Sequence, residues 1–186
     1  MRIDEITVGM VQTCCYILSR DDGTECIVID PGAEAARIRK AADGRKIVAI
    51  LLTHGHFDHI GAVRDLMEKD TKLVIHEMDV RMLGDPELNA GKGLLGRSIT
   101  APEATDTVRE GDELELAGLK IKVLHTPGHT PGSVCYEIEG ELFTGDTLFE
   151  YGWGRTDLPG GSDEQMRASL NRLKPIVRTT PIHPGH

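Results

Sequence analysis

The sequence predicts an α+β protein in which two β-sheets pack face to face with helices on the outside. Three observations carry this expectation. The chain falls into two strand-rich halves, each ending in a helix. Its strands are short apolar runs separated by turns rich in Asp, Gly and Pro. Five of its eight histidines, with Asp58 and Asp146, lie just past strand ends or at the last residue, which places a site along the edge where the strands stop.

Residues 3–8, 15–18 and 26–29 are apolar runs divided by Asp21-Asp22-Gly23 and Asp30-Pro31-Gly32, as strands should be. Residues 33–42 are alanine-rich and read as a helix. An unbroken apolar run at 47–52 marks a strand covered on both faces, and it leads directly into His54-Gly55-His56. Ile60, Val63, Leu66 and Met67 recur at helical spacing, so a helix is expected to begin just past His59. A strand at 73–75 and a helix at 78–83 follow. Residues 84–102 have little periodicity and read as a mobile lid or rim loop. Beyond Val108 the pattern returns to strands at 113–116, 120–124, 134–138 and 141–144, with turns at Ala117-Gly118 and Glu139-Gly140. A Gly-rich loop spans 147–161. Ser162-Asp163-Glu164-Gln165 then reads as a capping box for a helix reaching about Lys174, with 176–182 as a last strand. No linker or low-complexity segment divides the chain, so one domain over 1–186 is expected.

The 186 residues can bury a substantial core, and 21 basic against 30 acidic side chains leave a formal net charge of -9. Such a surface does not seek phosphate, so nucleic acid is not an expected partner. An anionic substrate would need local positive charge, which bound divalent metals can supply. Cys14, Cys15, Cys26 and Cys135 all sit in apolar strand-like runs, the habit of small buried hydrophobes, and point to a reducing cytoplasm. The opening Met1-Arg2-Ile3-Asp4-Glu5 has no apolar signal region, and no stretch is long enough to cross a bilayer. A protein away from membranes, monomeric or a small homo-oligomer, is the expectation.

Imidazole and carboxylate suit zinc, iron and manganese, so the chemistry lies in the strand-end turns. In Thr53-His54-Gly55-His56-Phe57-Asp58-His59, residues two apart in an extended segment project to one side, so His54 and His56 can share a metal. Asp58 and His59, at the mouth of the next helix, can aim at a second position a few ångströms away. His129, between Pro127-Gly128 and Thr130-Pro131-Gly132, is a natural third ligand for the first metal. Asp146, in a Gly-Asp turn, offers a carboxylate that can bridge two metals. Tyr151, Trp153 and Arg155 follow in the same loop and can hold an acyl group and an anionic tail, although an Arg155–Asp157 pair that only stiffens the loop serves as well. His76, His125 and His183 read as structural. Gly91-Lys92-Gly93-Leu94-Leu95-Gly96 matches a phosphate-cradle pattern, but neither follows a clear strand nor opens a clear helix, so that reading fails.

Taken together and in order, THGHFDHIG at 53–61, HTPGHTPGS at 125–133, FTGD at 143–146 and HPGH at 183–186 resemble the metallo-β-lactamase superfamily. Gly154-Arg155-Thr156-Asp157 with Pro159-Gly160-Gly161 resembles its glyoxalase II-like hydrolases more narrowly. The resemblance implies an αββα sandwich of two mixed sheets flanked by helices, and two divalent metals, zinc foremost with iron or manganese as alternatives. It implies His54, His56 and His129 on the first metal, Asp58, His59 and His186 on the second, and Asp146 between them. The implied reaction is hydrolysis of an ester-like bond, most naturally a thioester, by water activated at the metals, with Asp58 orienting it and taking its proton. Secreted β-lactamases differ in having a signal peptide and in lacking counterparts of His59 and Asp146.

Two departures stand out. Relatives usually continue past the position of His186, so a truncated chain or a weaker, frayed second site is expected. The helical domain with which larger glyoxalase II enzymes grip glutathione is missing, which leaves the carrier open. Three alternatives remain: a mononuclear iron persulfide dioxygenase built on His54, His129 and Asp146, another ester or lactone hydrolase, or an inactive binding module. Metal content separates them.

Overall fold

Residues 1–186 are described by a computed structural model. β1 (Arg2–Val8), β2 (Thr13–Ser19) and β3 (Glu25–Ile29) pair antiparallel through tight turns. β4 (Lys46–Leu51), β5 (Lys72–His76) and β6 (Asp106–Val108) then add in parallel, giving a six-stranded sheet in sequence order. Parallel neighbours need crossovers. These are α1 (Ala35–Ala42), then α2 (Phe57–Ile60) with α3 (Val63–Leu66), then a 3-10 helix over Glu77–Leu83 with α4 (Gly91–Leu95). The second sheet is an antiparallel meander of β7 (Glu113–Leu116), β8 (Leu119–His125), β9 (Val134–Ile138) and β10 (Glu141–Gly145). After α5 (Asp163–Leu173), β11 (Ile182–Pro184) lies parallel to β10, for the order β11-β10-β9-β8-β7.

The period of two along each strand sorts side chains into layers. Tyr16, Leu18, Ile27, Ile29, Ala49 and Leu51 face inward and meet Ile121, Val123, Tyr136 and Phe143 of the second sheet. Cys15, Ile17, Val28, Ile50 and Leu52 face outward under Ile38, Ile60, Val63 and Leu66 of the first-sheet helices. Leu124, Cys135 and Leu142 pack against Leu173 of α5. Helix, sheet, sheet and helix therefore stack as the αββα sandwich expected. Two buried tyrosines stitch the sheets together near one edge: Tyr136 Oη donates to the Leu52 carbonyl at 2.9 Å, and Tyr16 Oη to the Pro184 carbonyl at 2.7 Å. All four cysteines are unpaired, and no helix is long and apolar enough to cross a membrane.

Several local expectations are corrected. The helix expected just past His59 begins earlier, at Phe57, and breaks after Ile60, because the Ala62 N–H turns away to the Pro31 carbonyl at 2.9 Å. The 84–102 stretch is not structureless. It contains α4, whose first amide, Gly91 N–H, is already taken by the Asn89 side chain at 3.0 Å, so the glycine motif opens a helix yet offers no free phosphate cradle there. Periodicity cannot reveal a helix of barely one turn. The final strand is confined to Ile182–Pro184, since Ile176 accepts from the amides of Thr179 and Thr180 in turns instead. Ser162 caps α5 as expected, its hydroxyl accepting from Gln165 N–H at 3.3 Å.

Candidate metal centre

β3 and β4 run parallel and stop together, so Asp30 at the end of one faces Thr53 at the end of the other. The Asp30 carboxylate accepts from Thr53 N–H at 2.8 Å and from the Thr53 hydroxyl at 2.6 Å. With its proton committed to Asp30, the hydroxyl can only accept from His54 Nδ1–H, 3.1 Å away. That relay fixes the tautomer of His54 and leaves its Nε2 as a buried lone pair. His129 is set in the same way: Nδ1–H donates to the Arg155 carbonyl at 2.6 Å, freeing Nε2. Its Nε2 lies 2.8 Å from His56 Nδ1, so the imidazoles of the two loops face each other across a common point.

A residue that sequence reading missed holds these two loops together. Asp79, fully buried in the 3-10 helix, accepts from Gly55 N–H at 3.1 Å on the first loop. On the second it accepts from Gly132 N–H at 2.7 Å and the Thr130 hydroxyl at 2.6 Å. Gly132 must be glycine for this approach, because a Cβ there would sit 2.6 Å from the Asp79 carboxyl carbon.

The outer part of the cluster is built from charge. His59 is fully buried, with Nδ1 3.0 Å from Asp30 Oδ2 and Nε2 3.4 Å from Asp146 Oδ1 and 3.7 Å from Asp58 Oδ2. The Asp30 contact is an ion pair by distance but lies off the line of a hydrogen bond. Asp146 reaches both sides, its Oδ2 lying 3.4 Å from His129 Nε2 and 3.7 Å from His186 Nε2. His186 also stands 3.3 Å from Asp58. The fraying expected of this tail is countered by four hydrogen bonds. Gly185 N–H donates to Gly145, Cys14 N–H to Gly185, Tyr16 Oη to Pro184, and His186 Nδ1–H to Val11, all at 2.7–3.1 Å.

Electrostatics tests whether these residues suit a cation. Burial, reinforced by the neighbouring imidazoles, holds His54 and His56 well below the usual histidine range, in the neutral form that binds metals. Burial opposes charge on His59, yet Asp30, Asp58 and Asp146 outweigh it and push the ring up to about 10. Burial likewise raises the Asp58 carboxyl, but His59 and then His186 overcome it and keep it well below the carboxylate range. Excess negative charge therefore surrounds one buried ring, while His54 Nε2, His59 Nε2 and Asp146 Oδ1 have no hydrogen-bond partner. Orphaned buried donors and acceptors are costly, and cations satisfy this set. Three overlapping groups, each with ligand atoms within 4.8 Å of one another, result: His54, His56 and His129; His54, His59 and Asp146; Asp58, His59 and His186.

The structure thus brings together all seven residues expected as ligands. Of the three expected substrate residues, Arg155 lines the cleft over the cluster but is paired with Asp157 at 2.6 and 2.7 Å. Tyr151 and Trp153 point to solvent, 94% and 60% exposed, and do not line it. His76 and His125 stack on each other at 4.1 Å, and His183 stacks on Phe143, all outside the cluster.

A sandwich with an imidazole–carboxylate cluster at its sheet edge defines a class of metal-binding enzyme fold. The family model of the metallo-β-lactamase superfamily matches residues 8–186, and this chain belongs to that superfamily. It is 37% identical over 192 residues to the probable metallo-hydrolase YqgX of Bacillus subtilis, covering 100% of this chain and 90% of that protein. It is 36% identical to hydroxyacylglutathione hydrolase of Salmonella typhi, covering 92% of this chain but 60% of that longer protein. Among solved structures, BLEG-1, a B3 metallo-β-lactamase, superposes with a TM-score of 0.93 at 38% identity, covering 100% of this chain and 91% of the other. TTHA1623 in a di-iron-bound form gives 0.85 at 36%, covering 98% and 91%.

Proposed function

We propose that this protein is a dinuclear metal-dependent hydrolase of thioesters. The observation that carries the reading is the convergence of two ligand groups on one edge, with the Asp146 carboxylate reaching both. His54, His56 and His129 would hold one divalent ion, zinc foremost, and Asp58, His59 and His186 the other. When bound, such ions lower the pKa of water and polarise a carbonyl.

The chain's own residues do the rest. Asp58 lines the cleft, is held ionised, and sits 3.5 Å from the Thr13 hydroxyl that steadies it, so it can orient the attacking water and take its proton. Apart from the cluster itself, Arg155 is the only lining residue with a titratable side chain. Its guanidinium does not give up a proton at working pH. A leaving group that needs a strong acid is therefore poorly served, whereas a thiolate, with an ordinary pKa of about 8.5, departs unaided. The similarity to hydroxyacylglutathione hydrolase supports the same bond type.

Elemental analysis of purified protein, run with thioester hydrolysis and oxygen uptake on a persulfide, tests this. Two metal equivalents with thioester turnover and no oxygen uptake are expected. A single iron with oxygen uptake would replace the reading with the dioxygenase. Full turnover by metal-free protein would remove both.

A further inference from the structure

The cleft over the cluster, of about 410 Å³, has apolar walls from three separate parts of the chain. Val11 comes from the β1–β2 turn, Phe57 and Leu94 from α2 and α4, and Phe149 and Leu158 from the loop after β10. Val11 and Leu94 leave 44% and 50% of their surface open to water beside a polar centre, and Met10, 84% exposed, extends the same turn. Apolar side chains gathered around a cleft with a polar floor give the apolar part of a ligand surface to bury against.

These walls are held in position. The Val11 carbonyl accepts from His186 Nδ1–H at 3.1 Å, and the Phe149 ring stands edge-on to His186 at 6.2 Å. On the opposite side, Phe57 N–H donates to the Asn89 carbonyl at 3.0 Å. The buried Asn89 side chain donates to the Met82 and Ile99 carbonyls and accepts from Gly91 N–H, anchoring α4 and with it Leu94. Charge is distributed in the opposite sense. Arg155 is the one lysine or arginine among the lining residues, and the Nε–Nη2 edge of its guanidinium pairs with Asp157. Asp157 offsets that charge, so the lining carries no uncompensated basic side chain for a carrier's carboxylate.

Resting on the thioesterase reading above, we infer that the substrate's acyl part is an aliphatic chain longer than acetyl, seated between Val11, Phe57, Leu94 and Phe149. The carrier's negative charges are not read by the protein. The carbonyl lies over the cluster and the chain runs along the rim. Each methylene taken from water onto these walls favours the complex about fourfold.

The test uses metal-loaded protein with acetyl, butyryl and hexanoyl thioesters of N-acetylcysteamine, a neutral carrier, and the hexanoyl thioester of glutathione. kcat/KM is expected to rise about tenfold or more from acetyl to hexanoyl, and the two carriers should differ by less than about threefold. Leu94→Ser and Val11→Ser, both at exposed positions, should each lower the hexanoyl-to-acetyl ratio about threefold or more. Calorimetry with metal-free protein should show the S-hexyl thioether of N-acetylcysteamine binding more tightly than the S-ethyl one, with a negative heat-capacity change. Turnover that is flat with chain length, or a glutathione preference above about tenfold, overturns the inference and leaves the thioesterase standing. No turnover of any thioester by fully metallated protein overturns both.

Discussion

Burial keeps His54 and His56 neutral, hydrogen bonds to a hydroxyl and a carbonyl aim His54 and His129, and the buried Asp79 carboxylate ties the loops that carry all three. Asp58, His59 and His186 instead hold each other by charge, in a nest of carboxylates, and His186 lies two residues past the three-residue strand that pairs with β10. The first group is preorganised through backbone geometry. The second is organised by electrostatics and by the docking of a tail. Preorganised ligands lose little on binding an ion, whereas in the charged group an ion must take over the place of the mutual ion pairs.

The largest expected effect separates the two groups. His54→Ala should remove most of the metal and lower activity by more than about 100-fold, while the circular dichroism spectrum of the folded protein stays unchanged. His186→Ala should lose about one metal equivalent and retain the other. Equal loss of both metals in both variants would show that the groups do not act separately.

Next is the tie between the loops. Asp79→Asn keeps one acceptor oxygen for three donors and should cost about 1–3 kcal/mol in denaturant unfolding. It should weaken metal binding about 10–100-fold, measured by chelator competition. Unchanged affinity with reduced stability would make Asp79 a folding residue alone. On the charged side, Asp30→Asn removes one of the three carboxylates around His59 and should weaken the second metal equivalent about tenfold, with less effect on the first.

The smallest effect lies outside the centre. Burial, then the stacked His125, holds His76 down at about 4, below its ordinary 6.5. Between those values the unfolded chain binds more protons than the folded one, so this residue's contribution is present above 6.5 and fades as pH falls toward 4. His76→Asn keeps an acceptor for Met78 N–H, which His76 Nδ1 caps at 3.3 Å, but does not titrate. Its melting temperature should therefore fall less steeply over that window than the parent's. An identical slope would place the acid sensitivity entirely in the metal centre.

Much of the centre is visible in the linear chain because its ligands are locally crowded. Three histidines and an aspartate within six residues, just past an unbroken apolar strand, announce themselves, and the TPGH and TGD turns repeat the pattern in the second half. Asp30 and Asp79 carry no such signal. Each is a single carboxylate in unremarkable surroundings, and its role comes from partners 23 to 53 positions away. Asp30 does have a backbone clue, a left-handed φ of 50° beside Pro31 and Gly32, but that appears only in coordinates. The α2–α3 break is hidden for a similar reason: helical periodicity continues through it, and a carbonyl from the β3–α1 turn interrupts it.

Strand alternation and the choice of turn residues were enough to dictate the layered sandwich, because they act over a few neighbouring residues and every strand repeats them. Residue type and spacing likewise settled that imidazoles and carboxylates would gather at strand ends. Which nitrogen of each ring is free, which carboxylate aims which ligand, and whether Arg155 is available to a substrate were all left to the packing of distant segments. Those properties depend on hydrogen-bond partners brought together from both sheets, and no local rule of sequence encodes such partners.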